Sequence, residues 1–337
     1  MDAVSALKQI ALYLERSAQP TGKVRAFRRA AAVVAELPAG ELEQRVAAGT
    51  LTAIPGIGQS IATILTETVR LGEPTYLTNL LAENAEPVAG GTALRAALKG
   101  DCHTHSDWSD GGSGIEEMAR AAMALGHEWM VLTDHSPRLR VARGLTADRL
   151  RRQLEVVAEL NVALAPFLVL TGIEVDILDD GGLDQEEDLL AELDVVVASV
   201  HSKLRMPEAE MTERMLTAVA NPHVDVLGHC TGRLVTAKPR PESTFDARAV
   251  FTACAEYGVA VEINARPERR DPPRRLLSLA SDLGCAFAID SDAHAPGQLD
   301  WLPYGCERAE DCGITADRII NTRTADALLA GIAARAR

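Results

Sequence analysis

The sequence contains no long hydrophobic run and no paired cysteine motif. No stretch of about 18 or more apolar residues occurs, which excludes a membrane-spanning helix. The first twenty residues carry four charged side chains in an amphipathic pattern, unlike a signal peptide. The six cysteines form no Cys-x-x-Cys pair, and several of them lie in apolar runs. We therefore expect buried, reduced thiols in a cytoplasmic protein.

Basic residues are fewer than acidic residues in this sequence. The 337 residues include 34 Lys/Arg and 48 Asp/Glu, and the net charge of −14 argues against nucleic-acid binding over the whole surface. The imbalance is uneven, because residues 1–80 hold eight basic and seven acidic side chains and the remainder holds 26 and 41. Part of that acidity belongs to candidate metal ligands, whose charge bound cations would neutralise. Charge alone therefore leaves the partners open.

Residues 1–80 have the apolar spacing of a small all-helical domain. Helices are predicted over 3–16, 24–37 and 41–48, followed by a further helix that ends near Leu71. Residues 81–98 are rich in Ala, Gly and Asn and are predicted to form a linker or loose helix.

Residues 99–337 alternate between short apolar runs and amphipathic helices. The runs, predicted to be strands, are 129–133, 167–173, 195–200, 224–227, 259–263 and 286–289. The helices are predicted at 115–125, 147–164, 208–219, 246–256 and 273–283. Repeated βα units of this kind predict an α/β domain with a parallel sheet closed into a barrel.

Metal-ligand side chains recur at the ends of these strands. The nine groups are six of the eight histidines and three carboxylates: His103, His105, Asp110, His135, Glu174, His201, His229, Asp292 and His294. Imidazole and carboxylate suit zinc and other divalent metals, and nine groups are too many for one ion. A single buried histidine or turn aspartate is usually structural. Here a metal-ligand side chain follows one predicted strand after another. This repetition indicates a multinuclear, hydrolytic site at the carboxyl face of a barrel.

The segments around these residues resemble a known family. Residues 100–111, which contain His103-Thr104-His105 and Ser109-Asp110-Gly111, resemble the first motif of the PHP (polymerase and histidinol phosphatase) superfamily. Residues 133–136, 172–178, 197–202, 228–234 and 262–265 resemble the C-terminal PHP domain of bacterial family X DNA polymerases. The resemblance covers about residues 99–337.

The resemblance implies a distorted seven-fold β/α barrel that holds three divalent metal ions, drawn from manganese, zinc and iron. One ion would be bound by His103, His105, Glu174 and Asp292. A second would be bound by Asp110, His135 and His294, and a third by Glu174, His201 and His229. Glu174 would bridge two ions, and Glu174 and Asp292 are expected to be catalytic.

Basic side chains near these motifs are candidates for binding the substrate phosphate. Arg233, shortly after His229, is the expected forked donor and a third catalytic residue, and Lys203 is a second candidate. Arg143, Arg266 and Arg269 lie in loops that would surround the barrel mouth and could follow a polynucleotide backbone. For each residue, an ordinary solvated loop position is the alternative. The family X branch typically has Asn where this chain has Arg266, so local substrate contacts can differ.

The helical domain carries a possible phosphate-binding turn. Ile54-Pro55-Gly56-Ile57-Gly58 lies between two predicted helices and resembles a helix-hairpin-helix motif. Gly56 and Gly58 would let the backbone approach a phosphate, and the amides that begin the next helix would donate to it. With the basic side chains of Arg25, Arg28 and Arg29, the domain is similar to the N-terminal DNA-binding domain of the same polymerases. A glycine turn that only joins packed helices is the alternative.

These observations favour a DNA-directed phosphoesterase, either a 3′–5′ exonuclease or a damage-site endonuclease in DNA repair. The alternative enzyme is a small-molecule phosphomonoesterase like histidinol phosphatase, with the helical domain as scaffold. A non-catalytic DNA-binding protein ranks third, because all nine ligand positions are filled. Residues 81–98 are too few for a polymerase palm, so polymerisation is not expected. The sequence carries no signal for oligomeric state.

Overall fold

The chain divides into two units, residues 1–87 and 88–337. In the computed structural model of the protein, residues 1–83, 88–236 and 238–335 are described. None of the helices in these ranges combines the length and apolarity that crossing a membrane requires. All six cysteines carry free thiols, and five of them are buried, as the sequence predicted.

The first unit is helical, as predicted. Its helices are α1 (Ala3–Arg16), α2 (Thr21–Ala35), α3 (Glu41–Ala48), α4 (Gln59–Leu71) and α5 (Thr75–Glu83). Their apolar faces form one core around residues such as Leu7 and Leu65, both fully buried. The predicted bounds of α1 and α3 are confirmed, whereas α2 begins three residues and ends two residues earlier than predicted. Its early end follows from Pro38, whose ring disfavours helical backbone at Leu37.

Residues 92–98, which the sequence assigns to a linker, belong to the second unit. They form α6 (Thr92–Ala97) and bury Leu94 and Leu98 in the core of that unit. The backbone N–H of Gly91 donates to Glu310 Oε2 at 2.7 Å, so the chain is fixed before the helix begins. These residues agree with the helical alternative of the prediction for 81–98, but the helix is packed and not loose, and residues 84–87 of that segment lie outside the described residues. Between 88 and 99 the described chain forms no strand, whereas a polymerase palm needs a sheet.

The second unit is the parallel β/α barrel that the sequence predicts. Seven strands pair in chain order within the described residues, and every neighbouring pair is parallel. They are β1 (Gly100–Thr104), β2 (Trp129–Leu132), β3 (Leu168–Asp176), β4 (Val195–Ser199), β5 (Val226–Leu227), β6 (Ala260–Asn264) and β7 (Phe287–Asp290). β5 is shorter than predicted because the Asp225 side chain accepts the backbone N–H of Val196 at 2.8 Å, so the regular ladder begins only at Val226.

Helices pack around the strands. They are α7 (Ile115–Ala124), α8 (Ala147–Leu164), α9 (Glu187–Leu190), α10 (Glu208–Val219), α11 (Ala247–Tyr257), α12 (Arg274–Asp282), α13 (Leu302–Asp311) and α14 (Ala325–Arg335). The predicted bounds of α8 and α10 are confirmed, and those of α7, α11 and α12 are shifted by one residue at one or both ends. Because all strands are parallel, their carboxyl ends meet at one face of the barrel.

β1 and β7 close the barrel through side chains and single bridges. The backbone N–H of Cys102 donates to Asp290 Oδ1 at 2.9 Å, and Thr104 forms one parallel bridge with Ala293. At the opposite end, the buried Asn321 amide donates to the carbonyls of Gly100 (3.1 Å) and Ile289 (2.6 Å). Asn321 thereby connects the first and last strands where no continuous ladder does.

We expect Asn321→Leu to lower the free energy of unfolding of the barrel by about 2–4 kcal/mol, because it leaves several buried backbone groups without partners. Urea unfolding followed by circular dichroism measures this loss. Asn221→Ala, in a surface turn after α10, is the matched control and should cost no more than about 1 kcal/mol. An equal loss in both variants would show that Asn321 does not close the barrel.

Candidate metal centre

The nine predicted metal ligands all lie at the carboxyl face of the barrel. His103 and His105 come from the end of β1, Asp110 from the loop after it, His135 follows β2, Glu174 lies in β3, His201 follows β4, His229 follows β5, and Asp292 and His294 follow β7. Strand alternation places His103 and His105 on the same side of the chain. The nine side chains thus converge from six strands.

Glu174 is the carboxylate at the centre of this cluster. Its side chain is only 1% exposed. Oε1 lies 2.8 Å from His229 Nε2 and 3.2 Å from His201 Nε2. Oε2 faces three more imidazole nitrogens at 2.8, 3.4 and 3.6 Å, those of His135, His103 and His105. A single carboxylate that contacts five imidazoles has the surroundings of a bridging ligand.

Ligand atoms within 4.8 Å of one another form three overlapping groups among the described residues. They are His103, His105 and Glu174; His135, Glu174 and His201; and His105, Asp110, His135 and His294. The resemblance assigns each histidine to one ion. In the structure, His105 lies close to the ligands of two ions because it also belongs to the group of Asp110, and His135 likewise also belongs to the group of His201. Each group has the imidazole and carboxylate atoms that divalent metals use.

Asp292 connects this cluster to two arginines. Asp292 Oδ1 lies 3.5 Å from His105 Nε2 and 3.6 Å from Arg266 Nη1, and its Oδ2 lies 3.0 Å from Arg269 Nε. The residue has a φ of 52°, in the left-handed region that costs a non-glycine residue roughly 1–2 kcal/mol. That strained backbone turns the carboxylate towards the histidines instead of along β7.

The ionisable groups of the cluster shift one another's pKa values. Burial alone would raise the pKa of Glu174, but the surrounding imidazoles of His201, His103 and His135 hold it well below its ordinary value. Burial and the neighbouring imidazoles of His294 and His135 lower the pKa of His105 well below its ordinary value. Against the effect of burial, Glu174 raises the pKa of His201 to about 9 and, with Glu262, raises the pKa of His103 well above its ordinary value. A metal binds the ionised carboxylate and neutral imidazoles, so ions that entered the cluster would displace protons from these two rings.

Several buried nitrogen and oxygen atoms in the cluster form no hydrogen bond of acceptable geometry with any described residue, although some of them lie close to one another. They are His103 Nε2, His105 Nδ1 and Nε2, His135 Nδ1, Glu174 Oε2, His201 Nδ1 and Nε2, and His229 Nδ1. A buried polar atom without a partner is costly, and native proteins rarely keep several together. Because all these atoms are metal-ligand types in one cluster, the residues fit bound divalent ions.

Comparison with known proteins places the chain in a family. A helix-hairpin-helix domain model matches residues 1–74, and a PHP domain model matches residues 101–266. A probable phosphatase of Thermoanaerobacter is 30% identical over 233 residues, which cover 66% of this chain and 89% of the phosphatase. The chain belongs to the PHP family. Its barrel is accordingly that of a metal-dependent phosphoesterase.

Two further proteins are similar to parts of this PHP protein. DNA polymerase/3′-5′ exonuclease PolX of Bacillus subtilis is 40% identical over 227 residues, which cover 67% of this chain. The chain spans only 40% of the length of that polymerase. The structure of histidinol phosphate phosphatase from Lactococcus lactis, with zinc, L-histidinol and phosphate, matches 65% of this chain at 19% identity, with a TM-score of 0.48.

Glu262 of the PHP barrel was not among the predicted site residues. This fully buried carboxylate contacts His103 Nδ1 through Oε1 at 2.6 Å and accepts the backbone N–H of His229 through Oε2 at 2.5 Å. It therefore orients one predicted ligand and holds the loop of another. The sequence signal was available, because a glutamate in the apolar run of β6 needs a partner.

The loop that carries Asp110 is supported by a second buried carboxylate. Asp134 accepts hydrogen bonds from the hydroxyls of Ser106 and Ser109, both at 2.5 Å, and from Gln153 Nε2 at 2.6 Å. Arg143 donates from outside to the carbonyls of Asp107, at 3.1 Å, and Ser109. The guanidinium of Arg143 thus positions the loop and does not line the cavity over the ligands, and its predicted substrate contact stays a prediction.

Arg233 and Lys203 also contact protein groups in this structure. The Arg233 guanidinium donates to the carbonyls of Arg269, at 3.1 Å, and Arg270, so its donors face the protein. Lys203 Nζ lies 2.7 Å from Asp179 Oδ2 and forms an exposed ion pair. Neither residue lines the cavity over the ligands. In this structure Arg233 supports the loop after β6, and its direct phosphate and catalytic contact stays a prediction.

A cavity of about 570 Å³ opens over the metal-ligand cluster. Asp110, His135, His201, Asp292 and His294 form part of its wall. Four cationic side chains line the same cavity: Lys238, Arg240, Arg266 and Arg269. Arg266 and Arg269 belong to a loop that the sequence predicted at the barrel mouth, whereas Lys238 and Arg240 were not predicted. Both of these lie in the loop after β5, which has no strand pattern.

The hairpin of the first unit has the predicted glycine geometry. Gly56 has a φ of 92°, which side chains rarely adopt, and Gly58 precedes α4 with open space where a Cβ would lie. Arg25 and Arg29 are exposed, and the Arg29 side chain lies 3.6 Å from the Cβ position of Gly56. Arg28 instead donates to Glu15 at 2.6 Å and is half-buried. Of the three predicted basic side chains, Arg25 and Arg29 are therefore the exposed ones.

Proposed function

We propose that this protein hydrolyses phosphodiester bonds in DNA, as a 3′–5′ exonuclease or a damage-site endonuclease in DNA repair. The observation that carries the proposal is the combination, on one chain, of a PHP barrel and a helix-hairpin-helix unit. Phosphate-ester hydrolysis alone requires only the barrel. The hairpin adds a phosphate-binding element that a small substrate does not need.

Three divalent ions would be held as the resemblance implies. His103, His105, Glu174 and Asp292 would hold one, Asp110, His135 and His294 a second, and Glu174, His201 and His229 a third. Manganese, zinc and iron suit this ligand set. Bound ions supply a nucleophilic hydroxide near neutral pH and neutralise charge on the phosphate.

The side chains of the barrel would orient the phosphate and the ligands. Arg266 and Arg269 lie at the cavity wall beside Asp292 and would donate to the phosphate oxygens. Glu262 keeps the ring of His103 in place, and Asp134 keeps the loop of Asp110 in place. Because these contacts exist before substrate arrives, little reorganisation would be required during the reaction.

A second candidate function is a phosphomonoesterase that acts on a small molecule. The Thermoanaerobacter relative, named a probable phosphatase, matches the barrel over 89% of its own length. The strongly acidic remainder of the chain also favours a substrate smaller than DNA. On this reading the helical unit would serve only as a scaffold.

Hydrolysis of two substrates by the intact protein tests the proposal. With manganese, the value of kcat/KM for 3′-labelled single-stranded DNA should exceed that for histidinol phosphate at least tenfold. Nicked DNA and DNA with an abasic site distinguish the exonuclease from the endonuclease. Rapid release of phosphate from histidinol phosphate with no cleavage of any DNA would favour the second candidate.

We expect Gly58→Val to raise KM for DNA about fivefold, and Gly56→Val with Gly58→Val tenfold or more. A valine fits the backbone at Gly58 but blocks close approach of a phosphate to the first amides of α4. Tenfold is roughly 1.4 kcal/mol of binding, and the dependence of KM on salt should flatten as a phosphate contact is lost.

Gly22→Val, at an open position in α2, is the matched control for this prediction. The rate on p-nitrophenyl phosphate should stay within about twofold of wild type in the two hairpin variants and in the control. If the hairpin variants degrade DNA like the wild type across a salt titration, the hairpin does not anchor DNA.

A further inference from the structure

The segment after β5 forms a small hairpin beside the metal-ligand cavity. Leu234 and Arg240 exchange two backbone hydrogen bonds, both 3.0 Å long. The N–H of Val235 donates to the carbonyl of Glu268 at 2.7 Å, and Arg233 donates to carbonyls in the same loop. The hairpin is therefore attached to the loop after β6, and Arg240 is presented to the cavity from a tethered position.

Arg240 and Lys238 carry positive charge without a direct ion pair among the described residues, although the carboxylate of Asp271 acts on Arg240 from further away. Within the described part of the chain, no carboxylate oxygen lies within 4.0 Å of either group. Arg240 Nε donates to the carbonyl of Gly232 at 2.5 Å, which leaves the two terminal nitrogens for another partner. Burial and the nearby Arg269 guanidinium lower the pKa of Arg240, as expected for a half-buried cation beside another cation.

The charge of the other two cavity cations is partly balanced by carboxylates at their Nε atoms, which leaves terminal nitrogens of both guanidinium groups for a phosphate. Arg269 Nε lies 3.0 Å from Asp292 Oδ2, and Arg266 Nε donates to Glu268 Oε2 at 2.9 Å. The excess positive charge of the cavity wall therefore lies on the hairpin. Arg240 and Arg269 line the same cavity, and the charge of Arg269 acts on Arg240, so an anion that enters the cavity would be attracted by both groups. The cavity volume of about 570 Å³ is larger than one phosphate group requires.

We propose that Arg240 and Lys238 bind a second phosphate, that of the nucleotide linkage next to the one being hydrolysed. This inference rests on the proposed function and narrows the substrate class to strands with consecutive phosphates. A guanidinium gives a phosphate two parallel donors, and the ammonium of Lys238 adds a mobile third. Arg266 and Arg269 then remain for the phosphate at the metal ligands.

The test compares thymidine trinucleotides that differ in one charge. One has two natural phosphodiesters, and two others carry a neutral methylphosphonate at the first or the second linkage. Each is used as an inhibitor of p-nitrophenyl phosphate hydrolysis, which gives an inhibition constant whether or not it is cleaved, and as a substrate. Wild type, Arg240→Gln, Arg240→Lys and Lys238→Gln are compared, with Arg152→Gln as the control, an exposed arginine on α8 outside the cavity wall.

In the wild type, one of the two methylphosphonates should bind about tenfold more weakly than the natural trinucleotide, the loss of one charge-assisted contact. The ratio of the two inhibition constants should fall to about twofold or less in Arg240→Gln and to about fivefold in Lys238→Gln. Arg240→Lys should retain about half of the wild-type ratio. Arg152→Gln should keep the wild-type ratio. Lys238 is exposed, so its substitution is compatible with folding even if Arg240→Gln is not.

Two results would overturn the second phosphate site: equal binding of all three trinucleotides by the wild type, or an unchanged ratio in Arg240→Gln and Lys238→Gln. A different result would refute the proposed hydrolysis of DNA and leave the second phosphate site in place. If the trinucleotides inhibit with the expected ratios and none is ever cleaved, the second phosphate site stands and hydrolysis of DNA does not.

Discussion

Glu174→Gln should lower kcat/KM for phosphate-ester hydrolysis by about 1,000-fold, equivalent to roughly 4 kcal/mol of transition-state stabilisation. The cause is the position of this carboxylate, which contacts imidazoles from β1, β2, β4 and β5. The amide of glutamine keeps the volume and removes the charge. Without that charge the five imidazoles lose the anion they share, and metal binding at two of the proposed ion sites is lost.

Elemental analysis of the same protein samples checks this explanation, and the number of ions per chain should fall in Glu174→Gln. Asp225→Asn is the matched control, because Asp225 is also buried but lies at the opposite end of the barrel beside Arg335. That control can lose stability, but it should keep its metal. Wild-type metal content and rate in Glu174→Gln would refute the bridging role.

The second large effect is expected from Glu262→Gln, which should weaken metal binding about 10- to 100-fold. Glu262 accepts from the His103 ring with one oxygen and from the His229 backbone with the other. Glutamine has only one acceptor oxygen, so one of these buried N–H groups would lose its partner. The ring of His103 or the loop of His229 would then leave its present position.

Competition between the metal-free protein and a chromophoric chelator for zinc measures that effect without relying on catalysis. Glu268→Gln, a glutamate on the neighbouring loop that pairs with Arg266, provides the comparison and should change zinc affinity no more than about twofold. Equal zinc affinity in wild type and Glu262→Gln would mean that this carboxylate does not support the ligands.

The sequence was sufficient to predict the barrel and the face on which the ligands lie. A strand pattern shows where each strand ends, and parallel strands bring those ends together, so His135, His201 and His229 converge without any knowledge of distances. The helices α8 and α10 followed from the apolar period alone. The apolar period did not give the bounds of α6, because this helix has only about one and a half turns. Packing against the rest of the second unit stabilises it.

The arginines show what the sequence could not predict. Arg233 was expected to bind phosphate because it follows His229, but its partners are carbonyls 36 and 37 residues further along the chain. Arg269 and Arg240 line the cavity because two loops from different strands meet there. Neither a sequence motif nor the apolar period predicts which of several loop arginines faces the cavity. That choice depends on tertiary hydrogen bonds.

The most direct test of the metal-dependent phosphoesterase account is a count of metal ions at full activity. The metal-free protein is titrated with manganese, and in parallel with zinc, while hydrolysis of p-nitrophenyl phosphate and ions bound per chain are measured together. We predict that activity rises until two to three ions are bound per chain, because nine ligands in three overlapping groups serve more than one ion. Full activity with one ion or fewer per chain would contradict the multinuclear site.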